Sequence, residues 1–229
     1  MKHLDEKTHQ YYNDNGDTIP SVTQIISIIS KQGVVNWANA MGFKKISTEK
    51  FMNEKAIIGS LLHDRISKFF KNEEYQPHLS AEINERVDEL FTNFLMWQEV
   101  SKPIVILSEE TYINDKYGGT IDLICEIRGL TYLIDFKTSK KIHTTQLIQL
   151  GGYLNLLSEL DHELYKKIDR CQIISFTPDR IITEGRERKQ MKRYETIFEN
   201  SYILYSEYDR LLKEEWGTSL RELKIIGEM

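Results

Sequence analysis

The strongest constraint on the fold comes from two strand-like segments, TIDLICEI and LTYLIDFK, joined by the dipeptide Arg128-Gly129. A two-residue Xaa-Gly connection between β-prone segments predicts a tight hairpin. Residues that face each other across this turn have numbers adding up to 257, and Asp122 and Asp135 meet that condition. Directly opposed side chains have Cβ atoms about 4.5–5.5 Å apart. Lys137 shares the face of Asp135, because side chains alternate along a strand. The sequence therefore predicts an Asp/Asp/Lys cluster on one face of a sheet.

Two like charges directly opposite each other on a sheet are destabilising unless something offsets them. One carboxyl can be protonated with a raised pKa, the lysine can neutralise the pair, or a divalent cation can bridge it. Carboxylates are hard oxygen ligands that suit Mg²⁺ or Mn²⁺. For an arbitrary Asp-Xaa-Lys tripeptide, a solvated hairpin face with a surface ion pair is the commoner explanation. The register leaves all of these alternatives open.

Composition excludes several classes of protein. The 229 residues suit one domain, and the hydrophobic content of 40% and charged content of 28% are ordinary for a soluble chain. No apolar run approaches the ~20 residues of a membrane span, and the N-terminal MKHLDEKTHQYY has no signal-peptide core. The two cysteines lie in apolar segments, which favours reduced thiols and a cytoplasmic location. A net charge of −5 argues weakly against indiscriminate nucleic-acid binding but does not exclude a local basic groove.

Hydrophobic periodicity predicts a helical N-terminal half followed by a sheet. Ser21 and Gln24 form a capping-box pattern at a first helix. Further helices are expected between Gly33 and Gly42, from Thr48 to Phe70, from Ser80 to about Val100, over residues 143–160 and from Tyr194 to Leu212. Strands are expected at Ile104–Leu107 with Thr111–Ile113, in the hairpin and at Cys171–Phe176. We predict one α/β domain, in which residues 1–100 form a helical layer, 101–180 the mostly antiparallel sheet with its helix, and 181–229 the closing helices.

Four motifs occur in an order that resembles the RecB-like exonuclease branch of the PD-(D/E)XK nuclease superfamily. They are a helical histidine, His63; Gly119-Thr-Ile-Asp122; Asp135-Phe-Lys137; and Gln149-Leu-Gly-Gly-Tyr153. The resemblance covers roughly residues 19–155. The segments Pro20-Ser-Val-Thr23 and Asp135–Ser139 most resemble the mitochondrial genome maintenance exonucleases and their phage and bacterial relatives. Isoleucine rather than proline precedes Asp122. The resemblance implies a restriction-endonuclease-like core.

The resemblance also implies roles for the matching positions. Lys137 would act on the attacking water. The implied metal ligands are His63, Asp122, Asp135, the backbone carbonyl of Phe136 and a glutamate on the preceding strand, for which we prefer Glu110 over Glu109 because of its spacing to Ile113. Without the resemblance, a lone helical histidine is more often a core or surface residue than a ligand, and Glu110 is equally well explained as an exposed strand charge.

The helix after the hairpin is expected to carry a second functional face. Gln149 and Tyr153 are i,i+4 neighbours, and the resemblance places them over the cluster, where they would hold the substrate strand. Gly151 and Gly152 cost roughly 1 kcal/mol each in a helix and indicate close packing on the sheet or on nucleic acid. The expected nucleic-acid contacts are Thr138, Ser139, Lys140, Lys141 and Gln146. An ordinary solvated polar face is the alternative.

The sequence thus predicts a Mg²⁺- or Mn²⁺-dependent phosphodiesterase, namely a DNA exonuclease that prefers single strands or free ends and leaves 5′-phosphates. A structure-specific endonuclease and a catalytically silent nucleic-acid-binding module are the competing hypotheses. No G-x-x-x-x-G-K-[ST] loop occurs, so ATP is not expected as a cofactor. Two cysteines are too few for the four-cysteine iron–sulfur cluster of a related nuclease family. DNA is the expected partner, and a membrane is not.

Overall fold

A computed structural model describes residues 2–5, 8–29, 43, 47–77 and 80–222. The helices are α1 Val22–Ile26, α2 Thr48–Lys71, α3 Ala81–Ser101, α4 Thr144–Leu160, α5 His162–Lys167 and α6 Arg188–Trp216. The strands are β1 His3–Asp5, β2 Gln10–Tyr12, β3 Thr18–Ile19, β4 Ile104–Ile113, β5 Gly118–Ile127, β6 Leu130–Lys137, β7 Arg170–Thr177 and β8 Arg180–Glu187. The short helix predicted between Gly33 and Gly42 lies outside the described residues.

The main sheet has five strands in the order β4-β5-β6-β7-β8. Only the β6–β7 pair is parallel, and the other three pairs are antiparallel. The parallel pair requires a crossover, which α4 and α5 supply. The succession α3, β4, β5, β6, α4, β7 around this mixed sheet is a restriction-endonuclease-like core, as expected.

Each face of the main sheet carries its own hydrophobic core. On one face α2 and α3 pack through an aromatic cluster centred on the fully buried Phe94, whose ring lies 5.4–6.1 Å from those of Phe70, Phe136 and Phe176. On the other face α1, α4 and α6 cover the sheet with a stripe that includes Leu150, Leu154 and Leu157. The sheet is thus held between two helical layers. Among the described helices, none has the length and apolar character needed to cross a membrane.

Ser21 and Ser80, the predicted starts of two helices, are the N-caps of α1 and α3. Ser21 Oγ accepts the Gln24 N–H at 3.0 Å, and Gln24 Oε1 accepts the Ser21 N–H at 2.8 Å, completing the capping box of α1. Ser80 is the N-cap of α3, although its side chain makes no capping hydrogen bond. The α3 helix ends at Lys102, which adopts a left-handed conformation with φ 47°.

Two parts of the chain differ from the prediction. The first hundred residues are not purely helical, because β1, β2 and β3 form a small antiparallel sheet. Strands of two or three residues are too short to show a period-two pattern. The second difference is β8, which pairs with β7 and was not predicted. The basic segment 186–193 contains the last residues of β8 and the start of α6 at Arg188. The side chains of the edge strand β8 are largely exposed, so its sequence does not show the alternation of apolar and polar residues that predicts a strand.

Candidate active site

The β5–β6 hairpin has the predicted turn and register. Arg128 and Gly129 both have positive φ, 54° and 77°, which is the type I′ geometry that matches the twist of two-residue hairpins. The ladder runs from Ile127↔Leu130 to Leu123↔Ile134. Asp122 and Asp135 occupy the next positions in that register, where the ladder ends. Their exposed fractions are 6% and 1%, so the acidic pair is buried rather than spread over a solvated face.

Asp135 is the most enclosed group of the site. The ammonium of Lys137 lies 2.5 Å from Asp135 Oδ2, but this oxygen receives no hydrogen bond of good geometry. Gln149 Nε2 donates to Asp135 Oδ1 at 3.0 Å and to the Tyr153 hydroxyl at 2.6 Å. Burial raises the pKa of Asp135 to about 6, with Asp122 adding to the rise and Lys137 opposing it. Lys137 and Gln149 therefore both contact Asp135, and Tyr153 contacts Gln149.

Gly119 explains how the Tyr153 ring reaches this position. A Cβ atom at Gly119 would lie 2.8 Å from Tyr153 Cε1 and 3.0 Å from Val22 Cγ2, distances that real Cβ atoms rarely or never show. The glycine thus lets α1 and α4 both approach the first residues of β5. Because Tyr153 accepts from Gln149, this small residue indirectly positions the amide that holds Asp135.

His63 reaches the cluster from α2. Its Nδ1 lies 3.3 Å from Asp122 Oδ1 and 3.6 Å from Glu109 Oε1. The second oxygen of Asp122 accepts the Phe136 N–H at 2.6 Å. Burial by itself lowers the pKa of His63, but the two carboxylates beside it raise the pKa to about 10. Burial by itself raises the pKa of Asp122, but His63, Lys137 and the Phe136 N–H together outweigh burial and hold it below its usual value.

The glutamate beside this cluster is Glu109, not the preferred Glu110. Ser108 pairs with Leu123 and Glu110 with Ile121, so Glu109 has the register position opposite Asp122. Glu110 is exposed and faces away from the acidic pair. Side chains on one face of a strand recur every second residue, so counting back four residues from Ile113 selects Glu109. The preference for Glu110 counted back three. Glu109 also has a left-handed backbone, with φ 51°, which no sequence signal indicated.

Three side chains are placed so that they could hold a metal ion. One ligand atom from each of His63, Glu109 and Asp122 lies within 4.8 Å of the others. Phe136 contributes its backbone N–H to Asp122, and its ring is buried in the α2–α3 layer. Ligation by its carbonyl remains a prediction.

The predicted nucleic-acid contacts follow the hairpin but differ in their surroundings. Lys140 and Lys141 are exposed. Ser139 donates to the Lys141 carbonyl at 2.8 Å, and its own carbonyl accepts from Ser175. Gln146 caps α4, because its Oε1 accepts the His143 N–H at 2.8 Å. The amide oxygen of Gln146 is therefore engaged by the backbone, while Thr138 is half-buried beside Gly59.

The glycines of α4 do not touch the sheet, contrary to the prediction. A Cβ at Gly151 would lie 2.7 Å from the carbonyl carbon and oxygen of Tyr194, and one at Gly152 would lie 2.6 Å from the Phe198 ring. Both glycines therefore let α4 pack closely on α6. Neither faces the acidic pair, so nucleic acid is not needed to explain them.

A cleft of about 570 Å³ lies over Asp122. Its lining includes residues that the sequence analysis did not single out for the site. They are Leu4 and His9 from the N-terminal segment, Ser60, Asp64, Ser67 and Lys71 from α2, and Thr111 and Thr120 from the sheet. Tyr11 also lines the cleft and hydrogen-bonds Thr120 at 3.1 Å. Such a cleft can be recognised only after the N-terminal sheet is placed.

Comparisons with known proteins identify no family. No family model matches this chain, and no curated protein matches it. Among solved structures, SSO0001 is 19% identical with a TM-score of 0.31, covering 66% of this chain and 74% of that one. An alkaline exonuclease from Laribacter hongkongensis is 12% identical with a TM-score of 0.29, covering 65% of this chain and 81% of that one. A phage-related exonuclease from Haemophilus somnus 129PT is 15% identical with a TM-score of 0.30, covering 65% of this chain and 82% of that one. Similarities this low carry no argument about activity.

Proposed function

We propose that this chain is a divalent-metal-dependent DNA nuclease, an exonuclease that hydrolyses phosphodiester bonds of single strands or free ends to 5′-phosphate products. The observation that carries the proposal is the buried Asp122/Asp135 pair. Asp122 lines the cleft beside His63, and Asp135 contacts Lys137. A paired-acid site with an adjacent lysine suits hydrolysis of a phosphodiester assisted by a hard cation. The proposal rests on this site and not on similarity to solved structures.

The donor groups fit a Mg²⁺ or Mn²⁺ ion. Ligand atoms of His63, Glu109 and Asp122 lie within 4.8 Å of one another, close enough to share one ion. The ion would be held by Asp122, Asp135, His63 and Glu109, with the Phe136 carbonyl as a further ligand. Carboxylate and carbonyl oxygens are ligands that both ions accept, and Mn²⁺ also tolerates imidazole. When bound, the ion would supply Lewis-acid stabilisation of the charge on the phosphoryl oxygens.

Lys137 would orient the attacking water and stabilise negative charge. Burial lowers the pKa of this ammonium, but Asp135 and Asp122 outweigh burial and raise it. In this structure Lys137 is therefore a proton donor and a positive charge rather than a free base. Gln149 fixes the Asp135 carboxylate through Oδ1, which leaves Oδ2 directed at Lys137.

The loop after β6 would contact the DNA backbone. Thr138, Ser139, Lys140 and Lys141 follow Lys137 directly and would bind phosphates, since lysine and hydroxyl groups are among the groups that make such contacts. We assign Gln146 a weaker role, because its side-chain oxygen already caps α4.

The test is cleavage of end-labelled single- and double-stranded DNA and RNA with Mg²⁺, Mn²⁺ or a chelator. We expect cleavage of DNA only with a cation, and its loss in Asp122→Asn and Lys137→Ala with the fold retained by circular dichroism. Metal-dependent digestion that survives both substitutions contradicts the proposed site. Digestion of a covalently closed single-stranded circle identifies an endonuclease instead. Failure of calorimetry to detect cation binding favours a silent binding module.

A further inference from the structure

One wall of the cleft is a single face of α2. Gly59, Ser60, His63, Ser67 and Lys71 all line it, and their spacing of three to four residues is that of one helix face. These α2 residues are small, polar or charged, and no large apolar side chain of α2 lines the cleft. The wall therefore continues beyond His63 to the last residue of the helix, well past the acidic pair.

Gly59 leaves open space at the start of this wall. A Cβ atom there would have one neighbour within 4 Å, Thr138 Oγ1 at 4.0 Å. The glycine is thus not required for packing of α2 on the sheet. An unfilled glycine in a helix leaves room for a ligand to approach the backbone.

Among the described residues that line the cleft, Lys71 is the one lysine or arginine. It lies eight residues after His63, about 12 Å farther along the helix at 1.5 Å per residue. Within the described part of the chain, Lys71 forms no ion pair, whereas Lys68 on the same turn pairs with Asp64 at 2.9 Å. Burial raises the pKa of Glu109, and the charge of Lys71 opposes that rise. The ammonium thus acts electrostatically on the acidic group, and no described carboxylate neutralises it by contact.

A lysine in the last turn of a helix also has a purely structural explanation, because it interacts favourably with the helix dipole. Lys68 already supplies a cation to that turn. The dipole does not explain why the exposed ammonium of Lys71 borders the cleft, where it has no ion-pair partner among the described residues. An uncompensated ammonium beside an acidic site is a typical partner for a phosphate group.

We propose that Lys71 binds a non-scissile phosphate of the substrate strand, so that the strand runs along α2 from Gly59 past His63 toward the end of the helix. This inference rests on the proposed nuclease function and adds the path of the strand and a binding residue for it. The cleft volume of about 570 Å³ is in the range of small-ligand sites, so we take a single strand rather than a duplex as its occupant.

The test combines a charge-removing substitution with charge-removing chemistry on the DNA. Lys71→Gln is compared with Lys55→Gln, which removes the same charge from an exposed position of α2 outside the cleft. The substrates are single-stranded oligonucleotides that each carry one neutral methylphosphonate linkage, placed at successive positions from the scissile bond. Steady-state KM and kcat are measured as a function of salt concentration.

For the unmodified oligonucleotide, we expect Lys71→Gln to raise KM about three- to tenfold with kcat at saturation unchanged. A plot of log(kcat/KM) against log salt concentration should also become less steep by about one unit, the contribution of one phosphate contact. In the unsubstituted protein, one methylphosphonate position should raise KM by a similar factor. That effect should disappear in Lys71→Gln, because both changes remove the same contact, and should persist in Lys55→Gln.

Three results would overturn the inference. If the protein cleaves DNA and Lys71→Gln behaves as Lys55→Gln, the inference fails while the proposed function stands. A lower thermal stability of Lys71→Gln with an unchanged KM and an unchanged methylphosphonate profile assigns Lys71 to the helix end alone. If the unsubstituted protein cleaves no nucleic acid with Mg²⁺ or Mn²⁺, the proposed function fails and the inference falls with it.

Discussion

Glu109 and Glu110 offer a matched pair for testing the metal site. The two residues are adjacent and identical in chemistry, but Glu109 lies 3.6 Å from His63 and belongs to the group that could hold an ion. Glu110 pairs with Ile121 and is exposed. Replacing each by glutamine removes one charge while preserving the size of the side chain. Any difference between the variants must therefore come from their positions.

The expected loss can be bounded from the structure. Changing a residue that only supports a metal ligand costs about 10–100-fold in metal affinity or activity, so losing the Glu109 carboxylate as a ligand should cost at least that much. Stability of the metal-free protein should change far less. The Glu109 side chain is 26% exposed, and its substitution removes both an attraction to His63 and a repulsion from Asp122. These effects oppose each other, so we expect a net change within about 1 kcal/mol.

Two measurements separate these effects. Titration calorimetry with Mn²⁺ gives the affinity of each variant, and thermal denaturation in chelator gives the stability of the metal-free form. We expect Glu109→Gln to bind Mn²⁺ at least tenfold more weakly and Glu110→Gln to match the unsubstituted protein. The assignment of Glu109 is refuted if both variants bind equally well, or if Glu110→Gln is the weaker of the two.

Three further predictions concern the glycines and His63. Gly119→Ala should destabilise the fold by about 1–3 kcal/mol, because its Cβ would lie 2.8 Å from the Tyr153 ring; an unchanged denaturation midpoint in urea would exclude this contact. Gly59→Ala should instead stabilise the protein by about 0.5–1 kcal/mol, since the nearest atom to its Cβ is Thr138 Oγ1 at 4.0 Å; the same urea titration detects a steric conflict as a loss of stability. The carboxylates beside His63 outweigh its burial and raise its pKa to about 10, so His63 is protonated at pH 7. Cation binding at pH 7 should therefore release about one proton, and the affinity for the cation should rise with pH until that pKa is reached. Calorimetry in buffers of different ionisation enthalpy counts the protons, and a count of zero contradicts ligation by His63.

Part of the site could be predicted because it depends on local rules. The turn at Arg128-Gly129 determines the hairpin register and hence the positions of Asp122 and Asp135. Period-two alternation places Lys137 beside Asp135. Helical i,i+4 spacing brings Gln149 to Tyr153. Each of these relations spans few residues along a continuous element or across one tight turn, where backbone geometry leaves a single arrangement.

Other predictions failed where contacts between distant segments decide the outcome. The choice of Glu110 over Glu109 was a different kind of error, because period-two spacing from Ile113 already selects Glu109. The packing of Gly151 on α6 depends on a helix that begins at Arg188, some forty residues away, and periodicity carries no information about such a neighbour.

The sequence by itself determined the hairpin, its acidic pair, the lysine beside it and the order of the core elements, because turn chemistry and hydrophobic period act within one element or between adjacent ones. Only the tertiary structure decided that His63 and Glu109 meet at Asp122 and that Gly119 admits Tyr153. It also decided that the N-terminal sheet and α2 enclose a cleft reaching Lys71. These features arise when surfaces far apart in the chain are buried against each other, and the complementarity of those surfaces is not a property of either segment alone.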